Sequence, residues 1–185
     1  MKVKIPDLAA KVATLLGEAL ALECQPQESP FPDLEDRVRI LAPGTLARLI
    51  LEEPPHLFGN AKSFDSKVLI DTEGTGTLLL PDDFLKLICI KMSDWTLPVT
   101  RISPVLPIHA SRWKGIRGTP ERPSVVLSLN SSGKRVLKIF SSAPSAVMET
   151  GLYSPAPVIA SDDSLDIPDS LADKLITALV GQLKE

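Results

Sequence analysis

One stretch of the chain decides its fold class: Ser124-Val125-Val126-Leu127-Ser128-Leu129-Asn130-Ser131-Ser132-Gly133-Lys134-Arg135-Val136-Leu137-Lys138-Ile139-Phe140-Ser141. Two runs rich in apolar residues, 124–129 and 135–141, flank the turn-like segment 130–133. The glycine that ends this segment can adopt a positive φ without steric cost. Extended runs on either side of such a turn are typical of an antiparallel β-hairpin, so the sequence predicts one here.

Short apolar runs on both sides of the hairpin predict further strands. The strand candidates are 67–70, 76–80, 84–92 and the weaker 99–102 before it, and an edge strand at 146–153 after it. Residues 71–75 are turn-forming and separate the first two candidates. The consecutive apolar residues Ile88, Cys89 and Ile90 indicate that strand 84–92 is covered on both faces.

The two ends of the chain show helical periodicity instead. Apolar residues recur at helical spacing from about 6 to 22, and again from about 166–168 to 183. Asp7 lies in the first turn of the first segment, where the helix dipole favours an anion. The sequence therefore predicts a helix at each end.

A further helical region follows the first helix, and Pro43-Gly44 lies in its middle. Proline removes one backbone donor from a helix interior and collides with the preceding turn. We therefore expect two short helices, 33–41 and 44–53, the second of which ends at Pro54-Pro55.

The order of elements is helices, then strands, then a helix, which favours an α+β fold over alternating βαβ units. We expect a single domain over 1–185. In it, a small helical bundle (the N-terminal helix, two short middle helices and the C-terminal helix) carries an antiparallel β-sheet and hairpin insertion. The expected helical parts are 1–60 and 164–185, and the expected β-rich part is 65–153.

The net charge of −3 conceals a pattern along the chain. Residues 1–80 contain 8 basic and 12 acidic residues, residues 81–140 contain 10 and 4, and residues 141–185 contain 2 and 7. The segment charges are thus −4, +6 and −5. Three interpretations stay open: the segments neutralise each other within one monomer, they attract neighbouring copies, or the basic middle binds nucleic acid.

Residue patterns for catalysis, cofactors or metals are not found. His56 and His109 are the two histidines, and neither has neighbours at the spacing of a zinc site. Two cysteines form no disulfide framework, and no Gly-x-Ser-x-Gly motif occurs. We therefore expect no enzymatic activity, no cofactor, no metal and no small-molecule substrate. No run of 18 apolar residues occurs, so a membrane partner is not expected either.

A cluster of basic residues around a tryptophan is the first candidate for an interaction surface. It consists of Arg112, Trp113, Lys114, Arg117 and Arg122. Trp and Arg are the residue types enriched at protein–protein hot spots, which favours a protein contact. A solvated loop and a nucleic-acid contact through the basic segment 101–122 are the alternatives.

The most distinctive motif is Leu79-Leu80-Pro81-Asp82-Asp83-Phe84-Leu85-Lys86-Leu87, followed by Lys91-Met92-Ser93-Asp94-Trp95. It resembles a signature of the head-to-tail adaptor (neck) proteins of short-tailed bacteriophages and related gut phages. The resemblance implies a non-enzymatic structural subunit that forms a homomeric ring between portal and tail. Its implied partners are its own copies, the portal and tail proteins. Its implied location is the cytoplasm of the bacterial host, and the virion when the phage is active.

The motif itself has a physical explanation that needs no catalysis. Pro81 is expected to fix the start of a strand, and Asp82 or Asp83 to hold a turn through backbone hydrogen bonds. Phe84 is expected to anchor the sheet, and Trp95 to cap the sheet edge or contact a neighbouring subunit. The alternative function is a nucleic-acid-binding protein that uses residues 101–122.

Overall fold

Residues 1–21, 34–54, 59–104 and 118–184 are described by the computed structural model. The chain divides into two units. Unit 1 comprises Met1–Asn60 and Ala156–Glu185, and unit 2 comprises Ala61–Pro155. Unit 1 thus contains both ends of the chain, and unit 2 contains its middle.

Unit 1 contains the helices. They are α1 (Ile5–Ala21), α2 (Leu34–Glu52) and α3 (Ala172–Leu183), with a 3₁₀ turn at Asp169–Leu171 before α3. A short antiparallel pair joins β1 (Lys2–Lys4) to β10 (Ser164–Asp166). The helices predicted at the two ends of the chain are confirmed. The strand at the N-terminus was not predicted, because three residues carry no readable alternation.

The predicted break at Pro43 is wrong, because α2 is continuous through it. Its buried residues lie on one face on both sides of the proline: Val38, Ala42, Thr45, Leu46 and Ile50. A proline in a helix interior costs about 3 kcal/mol. Burial of this continuous face offsets the cost, since one buried Leu or Ile side chain contributes roughly 1.5–3 kcal/mol.

Asp163 connects the starts of two helices in unit 1. Its backbone carbonyl accepts a hydrogen bond from the Ile5 backbone N–H at 3.0 Å, at the start of α1. Its carboxylate is paired with the Arg39 guanidinium on α2, which also contacts Glu35 at 2.9 Å. Asp163 has a φ of 63°, a left-handed conformation that these contacts hold in place.

Unit 2 contains the remaining strands: β2 (Lys62–Ser63), β3 (Leu69–Ile70), β4 (Gly76–Leu79), β5 (Phe84–Met92), β6 (Gly118–Thr119), β7 (Arg122–Leu129), β8 (Arg135–Phe140) and β9 (Met148–Pro155). They form a three-stranded sheet in the order β2-β9-β5 and a five-stranded sheet in the order β3-β4-β8-β7-β6. All pairings between these strands are antiparallel. β9 was expected at a sheet edge and is instead the central strand of the smaller sheet.

The predicted hairpin is confirmed by the pairing of β7 with β8, in which Val125 faces Ile139 and Leu127 faces Leu137. Its turn is closed by Asn130. The side-chain oxygen of this residue accepts hydrogen bonds from the backbone N–H groups of Ser132 at 3.0 Å and Lys134 at 2.9 Å.

Both sheets of unit 2 contribute to one core. Its buried members are Phe64, Leu78, Leu80, Phe84, Leu87, Ile90, Met92, Trp95, Val125, Leu137, Ile139 and Tyr153. Alternation along β4, β7 and β8 places their core members on one face of the five-stranded sheet.

The expected architecture, a helical bundle with a β insertion, is wrong. The described residues form ten strands in three antiparallel sheets and three α-helices, so this part of the chain is mostly β with a few helices. The prediction underestimated the β content because strands of two or three residues give no periodic signal. It also overestimated the number of helices, because α2 is one helix where two were expected.

Candidate functional site

The Pro81–Phe84 segment of the adaptor-like motif forms a tight turn that leads into β5. The backbone N–H of Phe84 donates to the Pro81 carbonyl at 3.1 Å. The Arg135 guanidinium, at the start of β8, donates to the carbonyls of Phe84 at 3.2 Å and Asp82 at 3.1 Å. The Leu80 backbone N–H in turn donates to the Arg135 carbonyl at 3.1 Å. Arg135 of the five-stranded sheet therefore fixes the turn through both its side chain and its backbone carbonyl.

The carboxylate of Asp83 connects this turn to the three-stranded sheet. One oxygen accepts from the Tyr153 hydroxyl at 3.0 Å, and the other lies 2.8 Å from Lys62 Nζ. Burial by itself would raise the pKa of Asp83, but the hydrogen bonds from Lys62 and Tyr153 outweigh it and lower the pKa. Asp83 is thus a fixed anion near neutral pH. The neighbouring Asp82 side chain is exposed.

Three aromatic rings pack beneath this polar contact. The Tyr153 ring centroid lies 4.9 Å from that of Phe64 and 5.8 Å from that of Phe84. Burial, together with the hydrogen bond to Asp83, raises the pKa of Tyr153 to about 12. The phenol therefore keeps its proton at neutral pH and acts as a donor. The arrangement connects β2, β5 and β9.

Sequence reasoning found the turn but missed its partners. Lys62, Phe64, Arg135 and Tyr153 lie far from Pro81–Phe84 along the chain, and no local pattern connects them. Arg135 flanks the predicted hairpin, and its position at the start of β8 was the one signal available.

Trp95 lies in the core of unit 2, not at its surface. Its side chain is 3% exposed, and its indole N–H donates to the Ser141 carbonyl at 3.2 Å. The ring therefore offers almost no area to a partner in the folded monomer.

The basic cluster is described by the structure at one position. Arg112, Trp113, Lys114 and Arg117 lie outside the described residues. Arg122 is exposed at the start of β7. Arg101, earlier in the basic segment 101–122, is also exposed.

The two units differ in net charge in the same sense as the sequence segments. Unit 1 contains 8 basic and 15 acidic residues, a net charge of −7. Unit 2 contains 12 basic and 8 acidic residues, a net charge of +4. The structure adds that both acidic ends of the chain belong to one unit.

Over residues 1–21, 34–54, 59–104 and 118–184, no three His, Cys, Asp or Glu side chains are grouped so as to bind a metal ion. Burial raises the pKa of the half-buried Cys89 thiol, which disfavours the reactive thiolate. In the same part of the chain, no helix has the length and apolar character needed to cross a membrane.

Comparisons of the chain with protein-family models, with curated proteins and with solved structures give no match. The resemblance to head-to-tail adaptors therefore rests on the residues of the Leu79–Leu87 motif and on those that follow it.

Proposed function

We propose that the chain is a non-enzymatic structural subunit that assembles with its own copies. The resemblance of the Leu79–Leu87 motif suggests the assembly: a ring between the portal and the tail of a phage or prophage. The observation that carries the proposal is the opposite net charge of the two units, −7 and +4.

Opposite charges on two units of one chain favour contact between unit 1 of one copy and unit 2 of the next. Such a contact uses two different surfaces on each subunit, and it repeats until the ring closes. The attraction between opposite charges steers the encounter. It weakens as salt is added, because the screening length is only about 8 Å at physiological ionic strength.

The adaptor-like motif supports a structural role by the way its side chains are used. Asp83 is engaged by Lys62 and Tyr153, and Arg135 holds the turn carbonyls. These side chains are used within unit 2 and stabilise it. Contacts with other proteins are therefore made by other residues on its exposed surface.

The test is assembly at two ionic strengths and in the presence of a portal. We expect mass photometry and sedimentation to show oligomers at about 0.05 M salt that dissociate at about 0.5 M, where screening is short-ranged. We also expect electron microscopy to show rings of this protein on the portal protein encoded in the same genome. Absence of decorated portal at micromolar concentrations, with no salt-sensitive oligomer, contradicts the proposal.

The alternative is a nucleic-acid-binding protein that uses the basic segment 101–122, and the net charge of +4 on unit 2 favours it. It predicts a gel shift of DNA or RNA that falls steeply with salt. Replacement of Arg112, Lys114 and Arg117 by Ala would then abolish the shift. Under the structural proposal, the same triple variant leaves nucleic-acid binding weak and unchanged.

A further inference from the structure

The outer face of α2 carries an apolar stripe that is exposed to solvent at three positions and partly exposed at Ala47. Its members are Ile40, Gly44, Ala47 and Leu51, hereafter the outer stripe. Their spacing of four, three and four residues places them on one side of the helix. Ile40 is 77% exposed and Leu51 is 53% exposed, although both are large apolar residues. The outer stripe lies opposite the buried face of α2 that includes Val38, Ala42 and Leu46, so it plays no part in the core of unit 1.

Gly44 has no explanation within the monomer. A Cβ atom at this position would meet nothing within 4 Å, and Gly44 does not have a positive φ. Glycine is nevertheless among the least favourable residues in a helix interior. What a glycine permits here is a close approach of another backbone from outside the chain.

The outer stripe is symmetric about its own centre. Gly44 and Ala47 lie equally far on either side of the midpoint between Thr45 and Leu46, and so do Ile40 and Leu51. An antiparallel copy of α2 related by a two-fold axis at this midpoint places Ile40 level with Leu51 of the second copy, and Gly44 level with Ala47. Small residues then meet at the centre, and large apolar residues close both ends.

Of three exposed charges on one edge of the outer stripe, Arg37, Arg48 and Glu52, the first and the last fit the same arrangement. Arg37 and Glu52 are both exposed and follow the same edge of the stripe. Within the described part of the chain, neither has an ion-pair partner. In the two-fold arrangement, each edge of the outer stripe lies beside the same edge of the stripe on the second copy. Arg37 then lies within about 3 Å, measured along the helix axis, of the level of Glu52 in the second copy. This pairing occurs twice.

We propose that the outer stripe of α2 is a two-fold contact with a second copy of this chain. The inference goes beyond the proposed function, because a two-fold contact uses the same surface on both copies and closes at two. One helix face buries less than the roughly 1,200–2,000 Å² of a standard stable interface. The dimer is therefore weak, and its dissociation constant lies in the micromolar range.

The first test measures the oligomeric state by sedimentation at about 0.5 M salt, where the attraction between oppositely charged units is screened. The wild type is expected to dimerise as its concentration rises through the micromolar range. Gly44→Gln adds bulk without charge at the centre of the outer stripe and is expected to raise the dissociation constant at least tenfold. The matched controls are Gly17→Gln on α1 and Gly181→Gln on α3. An added Cβ at either position also meets nothing within 4 Å, and both controls should dimerise like the wild type.

A wild type that stays monomeric at high salt up to about 200 μM overturns the proposal, because this concentration is far above the expected micromolar dissociation constant. A Gly44→Gln variant that dimerises as well as the wild type overturns it too. Because salt suppresses the head-to-tail contact and leaves an apolar helix contact intact, failure of the proposed ring and failure of this dimer give different results.

The second test fixes the register with cysteines in a Cys24→Ser/Cys89→Ser background. Ile40→Cys and Leu51→Cys chains are mixed and oxidised with diamide. The two-fold arrangement brings Cys at 40 level with Cys at 51, whereas equal positions are about 16 Å apart along the axis. A disulfide requires Cα atoms within about 7 Å. The mixture is expected to cross-link, and neither variant alone. Cross-linking of Ile40→Cys with itself, or none in the mixture, contradicts the register.

Discussion

The hydroxyl of Tyr153 donates a hydrogen bond of 3.0 Å to Oδ1 of Asp83, and the two residues are 70 positions apart in the chain. Lys62 binds the other carboxylate oxygen at 2.8 Å. The turn that begins β5 is therefore attached by one side chain to both β9 and β2. The distinctive Pro-Asp-Asp-Phe motif thus has a structural role within unit 2, at the point where its two sheets are connected.

The first prediction concerns the ionisation of Tyr153, the single tyrosine of the chain. Burial and the Asp83 hydrogen bond raise its pKa to about 12, compared with about 10 in an unfolded chain. The folded state holds this proton more tightly. Its stabilising contribution is therefore complete below pH ~10 and is lost as the pH rises through about 12. A titration followed by tyrosinate absorbance should show this raised midpoint, and Asp83→Asn should lower it. A midpoint near 10 in folded wild type would contradict the prediction.

The second prediction concerns Asp83 in acid. Its pKa is lowered in the folded protein, so its stabilising contribution is present above the unfolded pKa of about 3.9 and is lost as the pH falls below it. Asp83→Asn should reduce the free energy of unfolding by about 1 kcal/mol near neutral pH, because two hydrogen bonds to a partly exposed carboxylate are weakened. The difference from wild type should shrink below pH ~4, where the wild-type carboxyl is protonated as well. The control is Asp82→Asn at the adjacent exposed position, which should change stability by less than about 0.5 kcal/mol in urea denaturation. Equal effects at the two positions would refute this account of the turn.

The elements that the sequence predicted correctly are those whose signal is local. The hairpin β7–β8 follows from two apolar runs and the Asn130–Gly133 turn, and α1 and α3 follow from continuous apolar periodicity. Each of these depends on residues close together in the chain. The same holds for the turn at Pro81–Phe84.

The features that could not be predicted depend on contacts between distant residues. β9 is the central strand of its sheet because β5 and β2 pair on either side of it, and nothing within Met148–Pro155 indicates that position. Trp95 is of a residue type enriched at interface hot spots, yet its ring is buried in the core of unit 2, and its N–H donates to the carbonyl of Ser141, which is distant in sequence. The partners of Asp83 were missed for the same reason.

A third prediction compares two glycines with nearly equal backbone angles, Gly118 with φ of 76° and Gly133 with φ of 75°. A Cβ at Gly118 would lie 2.1 Å from the Arg122 carbonyl oxygen, whereas a Cβ at Gly133 would meet nothing within 4 Å. Gly133→Ala should therefore cost only the left-handed backbone penalty of about 1–2 kcal/mol. Gly118→Ala should cost clearly more, because backbone must move as well, and should disturb the β6–β7 pairing. Thermal unfolding of both variants checks this ranking, and equal losses of stability would show that the close approach at Gly118 is absent.

A fourth prediction concerns Pro43 inside α2. Pro43→Ala restores a backbone donor to the helix interior and should raise the free energy of unfolding by about 1–3 kcal/mol, since the buried face of α2 is already continuous across this position. Pro168 is the matched control. It is buried and precedes the 3₁₀ turn with φ of −56°, a value that proline favours, so Pro168→Ala loses both buried area and a favourable backbone restraint and should be destabilising. Denaturant midpoints measure both changes. A less stable Pro43→Ala protein would mean that the proline is required by a contact other than the helix itself.

The last prediction separates a core role from an interface role for Trp95. Because its ring is 3% exposed and its N–H is bonded to the Ser141 carbonyl, Trp95→Phe removes buried area and this hydrogen bond. The free energy of unfolding should fall by about 1–3 kcal/mol, while the salt dependence of assembly should stay as in the wild type. Leu97→Ala is the control, since Leu97 is 61% exposed in the same unit and its truncation should cost less than about 0.5 kcal/mol. Urea denaturation and sedimentation of the same samples read the two properties independently. If Trp95→Phe weakened assembly at unchanged stability, the indole would have to reach a neighbouring subunit, and its placement in the core of unit 2 would be wrong.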